Sequence, residues 1–309
     1  MESRRNFLKA AGAATTAGMV GAAGCLGSFG GDPYVDGQMT FLMSPTEPQD
    51  QMRAQYEPIG ERFVDHIDPI GEDDLQMSYS EDYGATLEGL DSGNADVAET
   101  GPFAAALGVN SDKVDIVLQR KAYGGWEYSS FIVAPKGSDI EEPSDLEGAD
   151  IAFADALSAS GSLYPLAMIK EETDLSLPEE PGSATGADFN PQWTTHIEAS
   201  NAAADGTVDA AGVGDFAYFT NEDELQVVAE RSGIPRAPIV VSPELSDDEK
   251  ENIVTAFTEA PDEMYYGADG EADTDDDVWF DDVRERGVDT YQPVVDTAEN
   301  LGYGEEIFG

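Results

Sequence analysis

The run Ser158-Ala159-Ser160-Gly161 stands directly ahead of an apolar-periodic stretch that reads as a helix over 161–172. The first N–H groups of a helix have no intrahelical acceptor, and the helix dipole makes that end positive. Serine hydroxyls add donors there, and Gly161 lets the backbone approach a ligand closely. Such a turn suits a small oxyanion. It suits equally an ordinary helix cap, because serine is a preferred capping residue. His196, near the start of a helix expected over 195–204, can donate to an oxyanion in either charge state, or it is a surface helix histidine. Ser158 or Ser160 with His196 and Asp215 also makes the nucleophile, base and acid set of a secreted serine hydrolase. Against that, a nucleophile elbow reads Gly-x-Ser-x-Gly, and Ala156-Leu157-Ser158-Ala159-Ser160 lacks both glycines.

Two other chemistries can be weighed. Asp273, Asp275 and Asp277 have the 1-3-5 spacing of calcium-loop ligands. Val278 occupies the place of the turn glycine and Arg284 that of the bidentate glutamate, so 267–277 reads as a solvated acidic loop. No Gly-x4-Gly-Lys-Ser/Thr run occurs, so the chain itself is not expected to hydrolyse ATP. No cofactor is expected.

These residues must be positioned by alternating short strands and helices. Strands are expected at 39–43, 75–79, 95–98, 114–118, 131–134, 151–153, 210–213, 225–228 and 239–241. Helices are expected at 48–66, 82–90, from 102, and at 161–172, 195–204 and 246–257. Pro102 opens one helix. Ser144 with Glu147, and Ser246 with Glu249, have capping-box spacing. The order predicts an α/β fold with mostly parallel sheets. Residues 173–192 and 267–277 read as surface insertions.

The chain has 309 residues and a formal net charge of −49, from 64 acids and 15 bases. It is long enough for two lobes with a substantial core. Its single cysteine rules out an intrachain disulfide framework. A phosphate backbone needs fields of Lys and Arg, so nucleic acid is not an expected partner. The acids are scattered between apolar runs rather than massed in a tail, and lysine is scarce. That pattern is halophilic: at about 1 M salt the Debye length is near 3 Å and self-repulsion is screened. Dialysis into dilute buffer is expected to lower the melting temperature; an unchanged value would remove this reading.

Ser3-Arg4-Arg5-Asn6-Phe7-Leu8-Lys9 matches the twin-arginine export pattern, and a small-residue stretch too short to span a bilayer follows. Ala22-Ala23-Gly24-Cys25 resembles a lipobox, which makes Cys25 the lipidation site. Residues 1–24 are expected to be removed as a signal peptide, and 25–37 form a Gly-rich tether. The product is expected on the outer face of the cell membrane. One lipid chain anchors only marginally, so a second lipid or a membrane partner is expected.

Four stretches resemble one family. Asp82-Tyr83-Gly84-Ala85, Leu90 through Val97 and Gly101-Pro102-Phe103 form the first. Tyr128 through Val133, Ser138-Asp139-Ile140 and Asp145-Leu146-Glu147-Gly148 form the second. Ile151 through Pro165 is the third. His196, Asn201 through Ala210 and Ile234-Pro235 form the fourth. Together, in this order, they resemble the phosphate/phosphite/phosphonate substrate-binding proteins of ABC transporters.

The resemblance implies a type II periplasmic-binding fold, an α/β architecture of two lobes on a two-segment hinge. Lobe one would be 38–125 plus 236–309, and lobe two 126–235. It implies a binding protein rather than an enzyme, monomeric, working with a permease and a separate ATPase. Ligand oxygens would lie on Ser158, Ser160 and Gly161, although Ala159 replaces the family's threonine. His196 would donate to them, and Tyr83 and Tyr128 would close the cleft. Asp215 would meet an amino group or a ligand proton. The family's acid after the Ile-Pro step is replaced by Arg236-Ala237, so a smaller ligand such as phosphate, phosphite or methylphosphonate fits as well as an aminoalkyl phosphonate; another small oxyanion or a metabolite on the same fold is the alternative. Such an acidic protein would hold its anion by oriented neutral donors in a closed cleft.

Overall fold

The computed structural model describes residues 34, 37–44, 49–272, 274 and 276–304. The twin-arginine motif, Cys25 and, in the acidic loop, Asp273 and Asp275 lie outside the described residues. The chain begins β1 (Met39–Met43), α1 (Gln49–His66), β2 (Leu75–Tyr79), α2 (Tyr83–Asp91), β3 (Val97–Glu99), α3 (Pro102–Asn110) and β4 (Asp115–Lys121). It continues β5 (Glu127–Pro135), β6 (Asp150–Phe153), α4 (Tyr164–Glu172), β7 (Asn190–Trp193), α5 (His196–Ala204), β8 (Ala210–Gly214), α6 (Asp215–Phe219) and β9 (Leu225–Pro235). It ends with β10 (Pro238–Val241), α7 (Asp247–Thr258), β11 (Asp282–Glu285) and α8 (Gln292–Leu301).

Two sheets result. One has the order β11-β4-β10-β3-β1-β2, the other β7-β6-β8-β5-β9. The expectation of mostly parallel sheets is corrected, because both are mixed. β1 pairs parallel with β2 and β3, and β6 with β7 and β8. β10 and β11 run antiparallel beside β4, and β5 antiparallel to β8 and β9. The physical reason is the double crossing. A chain that leaves the first sheet after β4 and returns as β10 enters that sheet from the opposite end.

Local expectations need three further corrections. The first capping box uses Glu142 and Asp145 around Pro143, not Ser144 and Glu147. Proline at the first helical position has no N–H to lose, so the turn starts there. The helix expected from Gly161 begins instead as a π-type turn over Ala159–Leu163, with Leu163 N–H on Ser158 O at 3.0 Å, before α4. The segment 190–192 is not insertion loop but part of edge strand β7. The box at Ser246 and Glu249 forms as expected.

Packing follows the apolar pattern. β1 turns Met39, Phe41 and Met43 inward, where Phe41 meets Phe63 of α1 edge-on at 5.8 Å. Residues 102–108 of α3 are buried on every side, as expected of a helix apolar all round. A shared core joins α3, α4 and α8. The C-terminal helix therefore contacts elements beside both sheets: Lys170 Nζ donates to Asn300 O at 2.7 Å, and Tyr303 Oη to Pro178 O at 3.0 Å. The two crossing segments hydrogen-bond to each other. Arg236 N donates to Trp126 O at 3.0 Å, and Arg120 N to Ala237 O at 3.1 Å. Two arginines are thus fixed where the sheets meet.

Candidate functional site

The crossing encloses a cavity of about 230 Å³. Ser44, Tyr83, Thr100, Arg120 and Trp279 line it from the elements of the first sheet. Tyr128, Ser158, Ser160, His196 and Phe216 line it from those of the second, with Arg236 at the crossing. Of the residues singled out in the sequence, Tyr83, Tyr128, Ser158, Ser160 and His196 meet on this cavity. Gly161 and Asp215 do not line it.

The turn before α4 is built around Ser158. Its Oγ accepts from Gly161 N–H at 3.1 Å and lies 3.0 Å from His196 Nε2. Gly214 N–H donates to His196 Nδ1 at 3.1 Å, so the ring proton of the neutral imidazole sits on Nε2. Ser158 Oγ then accepts twice, and its own hydroxyl proton is left to donate into the cavity. This wiring runs opposite to a hydrolase, where the imidazole must accept from the serine. The ring is held edge-on against Phe216 at 4.8 Å, and Thr195 and Glu198 cap its helix. Enclosure of the imidazole pushes its pKa down to about 4 from the usual 6.5.

A depressed histidine pKa has a definite sign in stability. The unfolded chain takes up the proton first, so the folded state loses ground as the pH falls from about 6.5 towards 4. His196→Asn is expected to show a smaller loss of melting temperature over that window than the parent, measured in high salt. An equal loss in both would mean that the ring is solvated.

Gly161 is required by space. A Cβ there would lie 2.2 Å from Ala154 Cβ and 2.8 Å from His196 Cε1. Gly161→Ala is expected to cost about 1–3 kcal/mol in chemical denaturation, since a packed core absorbs an extra methyl poorly.

From the other side, Gly101 caps α3 with no side-chain bond, and Pro102 follows at the first helical position. The Tyr83 ring lies so close over Gly101 that a Cβ there would meet it at 3.3 Å. Burial holds the Tyr83 and Tyr128 phenols well above their ordinary pKa, so both stay protonated donors.

The reliance on neutral donors alone is corrected, because two guanidiniums line the cavity. Arg120 pairs with Glu99, and both are buried. Its Nε donates to Ala237 O at 3.2 Å and its Nη2 to Thr100 O at 3.3 Å, while its face covers the Trp279 ring at 4.2 Å. Glu99 also accepts from Tyr56 Oη at 2.5 Å and Ser44 N–H at 3.0 Å. Arg236 reaches Asp215 Oδ2 at 3.5 Å and lies 5.2 Å from the ring centres of both Tyr123 and Tyr128. The motifs missed Arg120, Thr100 and Trp279. The available signal was Arg120 itself, a charge closing the apolar-rich run 116–120 in a chain with 15 basic residues.

Three residues that line the cavity carry a buried side-chain donor with no hydrogen-bond partner: Thr100 Oγ1, Arg236 Nε and Trp279 Nε1. The Ser160 hydroxyl lies in hydrogen-bonding reach of the Tyr128 phenol. Buried donors are rarely left unmet, and three around one cavity mark a place for an acceptor-rich guest.

Two mixed α/β lobes joined by paired crossing strands, with a donor-lined cavity between them, define a type II periplasmic binding protein. The chain belongs to the family described as "ABC transporter, phosphonate, periplasmic substrate-binding protein", whose model matches residues 41–290. This is a family of substrate-binding transport proteins, not enzymes. The phosphate-import protein PhnD of Mycolicibacterium smegmatis is 28% identical over 201 residues, covering 61% of this chain and 57% of that protein, just over half its length. A binding-protein component of a phosphonate ABC transporter from Pseudomonas aeruginosa superposes with a TM-score of 0.67 at 20% identity, covering 88% of this chain and 87% of its own. PhnD1 of Prochlorococcus marinus, solved with methylphosphonate, gives 0.64 at 12% identity, covering 85% and 98%. Both structures share the fold. Among the described residues, no helix is long and apolar enough to cross a membrane.

Proposed function

We propose that this protein captures a small phospho-oxyanion outside the cytoplasm and delivers it to the permease of an ABC importer driven by a separate ATPase. Lobe one comprises about 38–125 plus 236–309 and lobe two 126–235, and they close on the ligand about the crossing at 121–126 and 235–238. The ligand is held by Ser158, Ser160, Tyr83 and Tyr128, with His196 acting through the Ser158 hydroxyl that it aims. Gly161 shapes the turn behind them, and Asp215 acts through Arg236. Twin-arginine export and a lipid on Cys25 keep the protein at the cell surface, where its acidic face suits high salt.

The observation that carries this reading is the set of unpartnered buried donors on residues that line one cavity. It is supported by family membership and by the names of the relatives. Thermal shift in high salt against phosphate, phosphite, methylphosphonate and sulfate tests it. Stabilisation by at least one phosphorus ligand is expected. A shift with none, or with sulfate alone, overturns it.

A further inference from the structure

Three carboxylates stand behind the residues that line the cavity. Asp155 accepts from Leu157 N–H at 2.7 Å and sits beside Tyr83, and burial holds its pKa above the usual carboxylate range. Glu99 is held by Arg120, Tyr56 and Ser44. Asp215 Oδ1 accepts from Phe216 N–H at 2.8 Å, and Oδ2 from Ser129 N–H at 3.4 Å and Arg236 Nη2 at 3.5 Å. Among the described residues, no Asp or Glu lines the cavity. The unpartnered atoms of its lining residues are a hydroxyl, an indole N–H and a guanidinium N–H.

We propose that the cavity is a donor-only site: it takes its ligand fully deprotonated and discriminates against a ligand carrying an ammonium group, and Arg236 sets this preference. The inference rests on the phospho-oxyanion reading. A P–OH or an ammonium group must find an acceptor. Where it does so by turning a wall hydroxyl round, it removes a donor from the anion and leaves one proton too many in the site. Arg236 acts twice. It pairs with Asp215 behind the cavity wall, and it is itself one of the residues that line the cavity. Tyr123 and Tyr128 lie beside the guanidinium and Asp215 faces it, so it has little freedom to withdraw. On the wall, His196 is already neutral near neutral pH and the Tyr83 and Tyr128 phenols stay protonated; behind Tyr83, burial raises the Asp155 carboxyl above its usual range. The pH dependence of binding near neutral pH is then assigned to the ligand.

Calorimetric titration in high salt with methylphosphonate and 2-aminoethylphosphonate separates the possibilities. Methylphosphonate is expected to tighten as the pH rises through its second ionisation, and to bind at least about tenfold more tightly than the amino compound. Arg236→Gln, which releases Asp215, is expected to shrink that ratio at least about fivefold, and Arg236→Lys to keep more of it. Equal or tighter binding of the amino compound by the parent protein overturns the inference, as does weakening of methylphosphonate over the same rise in pH. Those two readings need no variant to fold. An unchanged ratio in Arg236→Gln removes the role of Arg236. If neither compound binds, and phosphate and phosphite also fail, the phospho-oxyanion reading itself falls.

Discussion

Replacing Glu99 by alanine is expected to lower the unfolding free energy by about 3–5 kcal/mol, the cost of stranding one member of a buried ion pair. Both partners are almost fully enclosed, with side-chain exposures of 1% for Arg120 and 0% for Glu99. Salt offers little relief, because buried charges are screened far less than exposed ones. Glu99 also ties Tyr56 of α1 and Ser44 after β1 to the sheet, so those donors lose their acceptor as well. Thermal unfolding in high salt should show a fall on the order of 10 °C. The double change Glu99→Leu with Arg120→Met removes the pair as a unit and should recover much of that loss. Ligand affinity should not return with it, because Arg120 lines the cavity. A loss under about 1 kcal/mol for Glu99→Ala would mean that water reaches the pair.

The second large effect concerns binding. His196→Ala and Ser158→Ala should each weaken the best phosphorus ligand by about 10–100-fold, the worth of a hydrogen bond to a charged group. Their double variant should lose much less than the product of the two. The imidazole Nε2 proton and Gly161 N–H fill the lone pairs of Ser158 Oγ and so aim its hydroxyl. Without the ring that hydroxyl is free to rotate, so the two side chains act as one donor unit. Titration of the four proteins, as a double-mutant cycle, measures the coupling. Strict additivity would show that the histidine and the serine act independently, and unchanged affinity in both single variants would place the ligand elsewhere.

The helix-start serines, the cap of α5 and the box opening α7 were legible in the sequence because capping and dipole effects act within a turn of chain. So was most of the strand and helix order up to α7, since apolar periodicity is local, whereas β7, α6, β11 and α8 were not expected. Contiguous residues carried the family resemblance too. The mixed sheets were not legible: nothing in the residues 238–241 says that they enter between β3 and β4 from the far end. The electrostatics of the cavity were hidden for the same reason. Arg120 finds its carboxylate 21 positions away and a carbonyl 117 positions away. Arg236 meets Asp215 only because the crossing strand lies across the start of α6. Residue types thus specified a supply of donors near Ser158 and His196. The tertiary packing decided that Glu99 and Asp215 are paired with Arg120 and Arg236 beside them, because charge pairing depends on distance in space and not on order along the chain.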